Sequence, residues 1–390
     1  MRRKDVGVYI HVPFCERVCP YCDFAVVARR VIDPAEEARL VTALQTELRA
    51  RAPAYAGRSL ATIYFGGGTP SLLRPASIAG LIEAVRGQWN PDGEPLEITL
   101  ELNPSTVERE RLPAFRDAGV DRLSIGVQSF DDESLHRLGR AHRVDEAHRT
   151  LEAARSAGFT NLSLDLIFGV PSQDLAGVRK DVREALAYRP EHVSAYGLTV
   201  EEGTPYATAV ARGQLQPADD ETGAAMMEAV SADLGAGGLE RYEISSYARP
   251  GYQARHNRRY WRREPVLGIG VGAHSSESPG SGTPFGARRA NERQLAAWLA
   301  RIEGGGGAGP PQFEALSEPE ARSEAGFLGL RTQPGLNRRR FEAEFGLLPE
   351  VCWPALQELR EAGLLEEADG AWRLTQRGWL LSDTVFERLV

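Results

Sequence analysis

Short apolar or alternating runs bounded by turn formers recur through the first half of the chain: Val6–Val12, Thr62–Phe65, Leu96–Leu102, Arg122–Val127, Leu162–Phe168 and His192–Leu198. They read as strands. Between them lie longer segments with helical periodicity, such as Pro34–Ala52, Ser77–Gln88 and Asp174–Ala187. Pro34, followed by Glu36 and Glu37, gives the first of these a Pro-first, acid-early start. Strand and helix alternating about six times predict an α/β fold with a parallel sheet and helical crossovers. A complete eight-unit barrel takes ~250 residues, whereas these units end near residue 200, so a partial (β/α)6 barrel is expected.

From about Glu201 to Ala300 the alternation weakens and Gly, Pro, Ser and Arg rise. The run Glu303-Gly304-Gly305-Gly306-Gly307-Ala308-Gly309-Pro310-Pro311 then reads as a flexible linker. Helical segments follow at Glu318–Leu330, Arg338–Phe345 and around Pro349–Ala362, then a hairpin whose turn is Asp369-Gly370, then a last helix over Trp379–Leu389. This pattern predicts a winged-helix-like α+β domain at the C-terminus. The expected division is a barrel carrying the site over 1–235, a connecting region packed on it over 236–303, the linker over 304–312 and the C-terminal domain over 313–390.

Charge bears on partners. With 46 Lys+Arg against 54 Asp+Glu the net charge is −8, which argues against nucleic acid as the main partner. Winged helices often bind DNA, yet Asn337–Val390 holds seven Arg and no Lys against ten Asp+Glu, a poor match for phosphates. The run after Met1–Asp5 is too short and mixed for a signal peptide, and no segment approaches the ~20 apolar residues of a membrane span. A cytoplasmic protein is expected.

Three of the four cysteines, Cys15, Cys19 and Cys22, fall within eight positions, just after the first strand and so at the rim where such folds place active sites. A tight thiolate loop suits zinc or an iron–sulfur cluster. Structural zinc wants four ligands, usually in paired C-x-x-C units, and no second pair exists. A cubane held by three cysteines leaves one iron open to a small chelating molecule. Cys352, far away in the C-terminal module, reads as a small hydrophobe. Gly66-Gly67-Gly68-Thr69-Pro70 follows an apolar strand, where glycines let backbone approach a ligand closely. Glu101, Gln128 and Asp165 lie at or near the ends of successive strands, where each is either a structural cap or ion pair or part of one shared pocket.

On Cys15-x3-Cys19-x2-Cys22 at the first strand, the chain resembles the radical S-adenosylmethionine (SAM) superfamily. The resemblance implies a [4Fe-4S] cluster on Cys15, Cys19 and Cys22, whose open iron is chelated by the amino and carboxylate groups of SAM. Electron injection by a donor then cleaves SAM to a 5′-deoxyadenosyl radical, or, in non-catalytic relatives, SAM is simply held. It also assigns Tyr9, Gly67, Gly68, Thr69, Glu101, Gln128 and Asp165 to the SAM site, with Arg140 suited to the carboxylate.

Arg122–Phe130, Asp165–Pro171, Ser194–Thr204 and Tyr242–Tyr247 resemble the branch containing oxygen-independent coproporphyrinogen III oxidase and its heme-chaperone relatives. The oxidase carries a further cysteine two positions after the third, where this chain has Phe24, and a long extension ahead of the tyrosine, where eight residues precede Tyr9. Both departures favour the chaperones over the decarboxylase. His256-Asn257-Arg258-Arg259-Tyr260-Trp261 is similar to the chaperones' heme motif, which implies heme binding by His256, Tyr260 and Trp261. Histidine is the commonest axial heme ligand, and nearby arginines suit heme propionates. On spacing alone the segment reads as a solvated basic loop with a satisfied histidine; the resemblance reverses that reading. The partners so implied are heme, apo-hemoprotein acceptors and an electron donor, with room for a peripheral membrane contact and a homodimer. His274, in the glycine-rich Gly270–Ser275 segment, is a second-choice ligand or a structural hydrogen-bonder.

Overall fold

A computed structural model of the chain describes residues 5–91, 95–280, 282–307, 309 and 311–390. Six strands, β1 (Asp5–Val12), β2 (Ser59–Gly67), β3 (Glu97–Leu102), β4 (Arg122–Gln128), β5 (Leu162–Phe168) and β6 (His192–Gly197), pair in sequential order and all in parallel. Helices such as Pro34–Arg51, Pro75–Arg86 and Leu175–Ala187 cross between them. Their starts follow the sequence: Asp33 accepts the Ala35 N–H ahead of Pro34, and Asp174 accepts the Gly177 N–H. The alternating apolar positions of β1 to β6 form one continuous core with the helices' inner faces.

The region after residue 200 adds to this sheet in a way its weak pattern did not reveal. A pair of short strands, β7 (Glu240–Arg241) and β8 (Ser246–Ala248), extends it antiparallel beyond β6. On the other edge β9 (Val266–Ile269) runs parallel to β1, and β10 (His274–Glu277), β11 (Ala287–Ala290) and β12 (Gln312–Ala315) continue antiparallel, making twelve strands. Buried polar groups hold the added edge to the first helix. Glu47, fully buried, accepts N–H groups from Gly270, Asn291 and Trp298 at 2.8 to 3.0 Å, and Arg51 donates to the Gly268 carbonyl and the Ser275 hydroxyl. A buried carboxylate is tolerable only with such a full set of donors.

The stretch expected as a free linker is partly tied down. Arg301 donates to the Gly306 carbonyl, Gly307 abuts the Pro34–Arg51 helix at Ala50, and β12 pairs with β11; Ala308 and Pro310 lie outside the described residues. The C-terminal domain has its own core around Phe341, Leu356 and Trp372. Helices Glu318–Leu330 and Arg338–Phe345 match the periodicity, and the hairpin turns at Asp369 (φ 50°) and Gly370 (φ 74°), the left-handed pair a two-residue turn needs. The segment 349–362 is broken into Pro349–Cys352 and Ala355–Glu361 because Trp353, preceding Pro354, is held extended at φ −129°, ψ 89°. The last helical stretch is likewise two short helices, Gln376–Leu380 and Ser382–Glu387.

Candidate functional site

The cysteine loop is clamped at both ends. Phe14-Cys15 pairs with Val27-Ala28, the Val27 N–H donates to Pro13 (2.7 Å) and the Arg29 N–H to Cys15 (2.6 Å). Beside it the glycine turn after β2 is drawn in by Gly68 N–H to Val12 and Thr69 N–H to Phe14. Only glycine fits there. A Cβ on Gly68 would lie 2.5 Å from the Phe14 oxygen and 3.0 Å from Cys15 Sγ, and Gly67 has φ +109° with the His11 ring 2.6 Å from its Cβ position.

All three cysteines of the loop are half-buried free thiols. Burial pushes the Cys15 thiol up to about 11, so it gives up its proton only to a strong cationic centre. Among the described residues no three His, Cys, Asp or Glu side chains converge tightly enough to hold a single metal ion. Three soft thiols in one short loop are the donor chemistry an iron–sulfur cluster takes.

A hydrogen-bonded chain links two of the sulfurs. The Thr69 hydroxyl donates to Cys15 Sγ (3.7 Å), Asn103 Nδ2 to the Thr69 oxygen (2.7 Å), Arg140 to Asn103 Oδ1, and Arg140 Nη1 to Cys19 Sγ (3.7 Å). Sequence reasoning missed Asn103. Its signal was its place in Leu102-Asn103-Pro104, directly after β3, where the following proline holds it out of helix. Gln128 joins the group through backbone strain: it ends β4 at φ 66°, next to Gly126, whose Cβ position lies within 3.3 Å of Asn103, Gln128 and Arg140 together. A cleft lined by Cys19, Thr69, Asn103 and Arg140 opens here.

Inside the barrel, Glu101 accepts the Tyr64 hydroxyl (2.7 Å) and the Gly67 N–H (3.2 Å), and burial pushes its carboxyl up to about 7. Asp165 accepts the Ser124 hydroxyl, and burial raises it to about 6. Tyr9 stacks on Tyr64 with ring centres 6.0 Å apart and approaches His11 Nδ1 at 3.2 Å. The structure therefore gathers Tyr9, Gly67, Gly68, Thr69, Glu101, Gln128 and Arg140 around the cysteine loop, with Asp165 near enough to Glu101 to raise its pKa further.

The segment Arg255–Trp261 is a helix closing the opposite, N-terminal end of the strands, and is called the floor helix below. Glu97, at the start of β3, accepts the backbone N–H groups of Arg255 (3.1 Å) and His256 (2.9 Å) and so caps it. His256 is 1% exposed. Its Nδ1 bonds Thr62 Oγ1 at 2.8 Å, its Nε2 bonds the Tyr260 hydroxyl at 3.0 Å, and its ring lies 5.0 Å from that of Tyr64. Burial holds its pKa well below the usual imidazole range, so it is neutral. Two of the arginines near the motif are committed elsewhere: Arg259 pairs with Asp5, and Arg263 with Glu324 and Glu344 of the C-terminal domain. Trp261 is covered by the Arg331 guanidinium, 4.0 Å from its ring. The solvated basic loop that spacing alone allowed is thus a packed helix, with His256 facing inward.

Residues 9–185 match the Radical SAM superfamily and residues 316–381 the HemN C-terminal domain. The heme chaperone HemW of Bacillus subtilis (strain 168) is 34% identical over 97% of this chain and 98% of its own. That of Escherichia coli (strain K12) is 36% identical over 99% and 98%. The mitochondrial radical S-adenosyl methionine domain-containing protein 1 of Bos taurus is 35% identical over 99% and 88%. Among solved structures, the radical SAM enzyme coproporphyrinogen III oxidase (HemN) from Escherichia coli superposes with a TM-score of 0.82 over 99% of this chain and 90% of that one, at 22% identity, a likeness of fold. The fold and the site are those of a radical SAM protein, a superfamily that implies a [4Fe-4S] cluster and SAM. The chain belongs, within that superfamily, to the heme chaperone HemW family.

Proposed function

We propose that the chain is a heme chaperone that binds heme, a [4Fe-4S] cluster and SAM, and delivers the heme to apo-hemoproteins. The observation that carries this reading is identity of 34 to 36% along essentially the whole length of HemW relatives. Phe24 supports it, because it stands where the related oxidase has a further cysteine and is 62% exposed.

In this reading Cys15, Cys19 and Cys22 hold the cluster, and Thr69 and Arg140 donate hydrogen bonds to the Cys15 and Cys19 sulfurs. Bound there, the cluster supplies an open iron for SAM and an electron when a donor reduces it. Glu101 faces the cationic end of SAM, Arg140 its carboxylate, Gly67 and Gly68 allow close backbone approach, and Tyr9, Gln128 and Asp165 complete the site. Asn103 holds Thr69 and Arg140 in position at once. His256, Tyr260 and Trp261 serve heme once the floor helix releases the bonds to Thr62 and Tyr260 that occupy His256. The proposed division is a barrel over 1–235, a connecting region over 236–303, a linker over 304–312 and a C-terminal domain over 313–390, although β12 carries the main sheet on to Ala315. Among the described residues no helix is long and apolar enough to cross a membrane; a cytoplasmic location, a homodimer and a peripheral membrane contact for handover belong to the proposal.

The test is a hemin titration of anaerobically reconstituted protein, followed by transfer to an apo-hemoprotein. Stoichiometric uptake and release are expected. The rival reading predicts protoporphyrinogen from coproporphyrinogen III, SAM and reductant, and that product would overturn the assignment.

A further inference from the structure

Heme has three chemical handles: an iron that takes an imidazole, an apolar macrocycle, and carboxylate propionates. A first contact with heme needs groups that solvent can reach. Of the seven histidines, His11, His142, His148, His192 and His256 each hold a protein partner at 3.2 Å or less through a ring nitrogen. Only His136 and His274 are exposed. His136 lies on the short helix Asp132–Arg137, beside the ion pair of Glu133 and Arg137, with no exposed aromatic next to it in sequence.

His274 has different surroundings. It opens β10, next to β9 and therefore near the end of β1 from which the cysteine loop departs. A Cβ on Gly272 would lie 2.7 Å from that of Ala25, so the chain leading to His274 abuts the segment following Cys22. Arg293 donates to the Asp23 carbonyl, approaches the Asp23 carboxylate at 3.9 Å, and keeps 65% of its side chain exposed. Between those two contacts stands Phe24, a large aromatic ring left 62% open to water. Partial burial and the Arg293 charge hold His274 below the usual imidazole range, leaving a neutral nitrogen able to ligate iron.

We propose that His274, Phe24 and Arg293 form an open reception site for heme beside the cysteine loop: His274 ligates the iron, Phe24 covers part of the macrocycle, and Arg293 pairs with a propionate. The proposal rests on the heme-chaperone reading and adds the place where heme is first taken. In the ligation step the imidazole lone pair displaces water or chloride from ferric iron, and no proton or electron moves. One axial ligand on an open shelf gives a complex that can dissociate, as a carrier requires. His256 becomes reachable only after the floor helix gives up two hydrogen bonds, so it belongs to a later step.

The test mixes hemin with the cluster-loaded full chain in a stopped-flow spectrometer and follows the Soret band. Wild type should bind in a fast, concentration-dependent phase. His274→Ala should lose at least tenfold in that association rate, and Phe24→Ala and Arg293→Gln severalfold each, while His136→Ala tracks wild type. His274→Cys should restore binding with the displaced Soret maximum of a thiolate-ligated ferric heme, a signature that a structural role for His274 would not produce. An unchanged fast phase in His274→Ala, or an unchanged Soret maximum in His274→Cys, overturns the reception site. No hemin uptake by wild type is a different result and overturns the chaperone reading itself.

Discussion

SAM affinity should depend on pH through Glu101. Its carboxyl is half-buried beneath the glycine turn, accepts bonds from Tyr64 and Gly67, and is pushed up to about 7 by loss of hydration. SAM carries a sulfonium, and its iron-ligating amino group still donates hydrogen bonds; the ionised carboxylate is the form that attracts the one and accepts from the other. With a single proton at about 7, the ionised fraction falls about tenfold between pH 8 and pH 6, so affinity should fall about tenfold over the same interval. The sign for stability is the opposite. A carboxyl whose folded pKa is raised holds its proton more tightly when folded, so its contribution to stability is lost as pH rises from the usual carboxylate range through about 7. SAM should therefore raise Tm more at pH 8 than at pH 6. Calorimetric titration of cluster-loaded protein at several pH values, with wild type and Glu101→Gln, reads this directly. The variant should bind SAM weakly and with a flat profile around pH 7. Asp165→Asn should keep the Glu101 slope but move it below 7, because the Asp165 charge adds to the rise at Glu101, and should lose any slope due to Asp165 itself. A flat wild-type profile, or a slope that survives in Glu101→Gln, refutes the reasoning.

Replacing Cys19 by Ala should bring anaerobically reconstituted iron and sulfide down to background, checked by elemental analysis. Asn103→Ala releases Thr69 and Arg140 together and should weaken SAM by about tenfold, within the ~1–3 kcal/mol expected for stranding buried hydrogen-bonding groups, with cluster content retained. Gly67→Ala forces a side chain into φ +109° and onto the His11 ring, and should lower stability by about 1–3 kcal/mol or more in thermal unfolding. Arg331→Ala removes both the cover on Trp261 and the 3.0 Å pair with buried Glu243, and should speed amide exchange in Arg255–Trp261.

The cysteine spacing, the glycine turn and the polar strand ends are local features, and the sequence determined them by itself. Three thiols within eight positions and glycine packed against the cysteine loop are demands of covalent spacing and sterics, and they hold whatever the rest of the chain does. Periodicity likewise placed the helices Glu318–Leu330 and Arg338–Phe345, and with a little more weight on Pro354 it would have divided 349–362 as well. Tertiary structure decided what depends on distant partners. Strands β9 to β12 are four residues each, too short for a pattern; Arg51 of the first helix holds β9 and β10 through Gly268 and Ser275, Glu47 holds Gly270 and Asn291 just after β9 and β11, and β12 is held by pairing with β11. Asn103 acquires its role only because Thr69 and Arg140 arrive on either side of it. Nothing within Arg255–Trp261 distinguishes an outward histidine from an inward one. Thr62, Glu97 and Tyr64, more than 150 residues earlier, turn His256 into the barrel because a buried imidazole needs partners for both nitrogens and finds them there, in Thr62 and Tyr260.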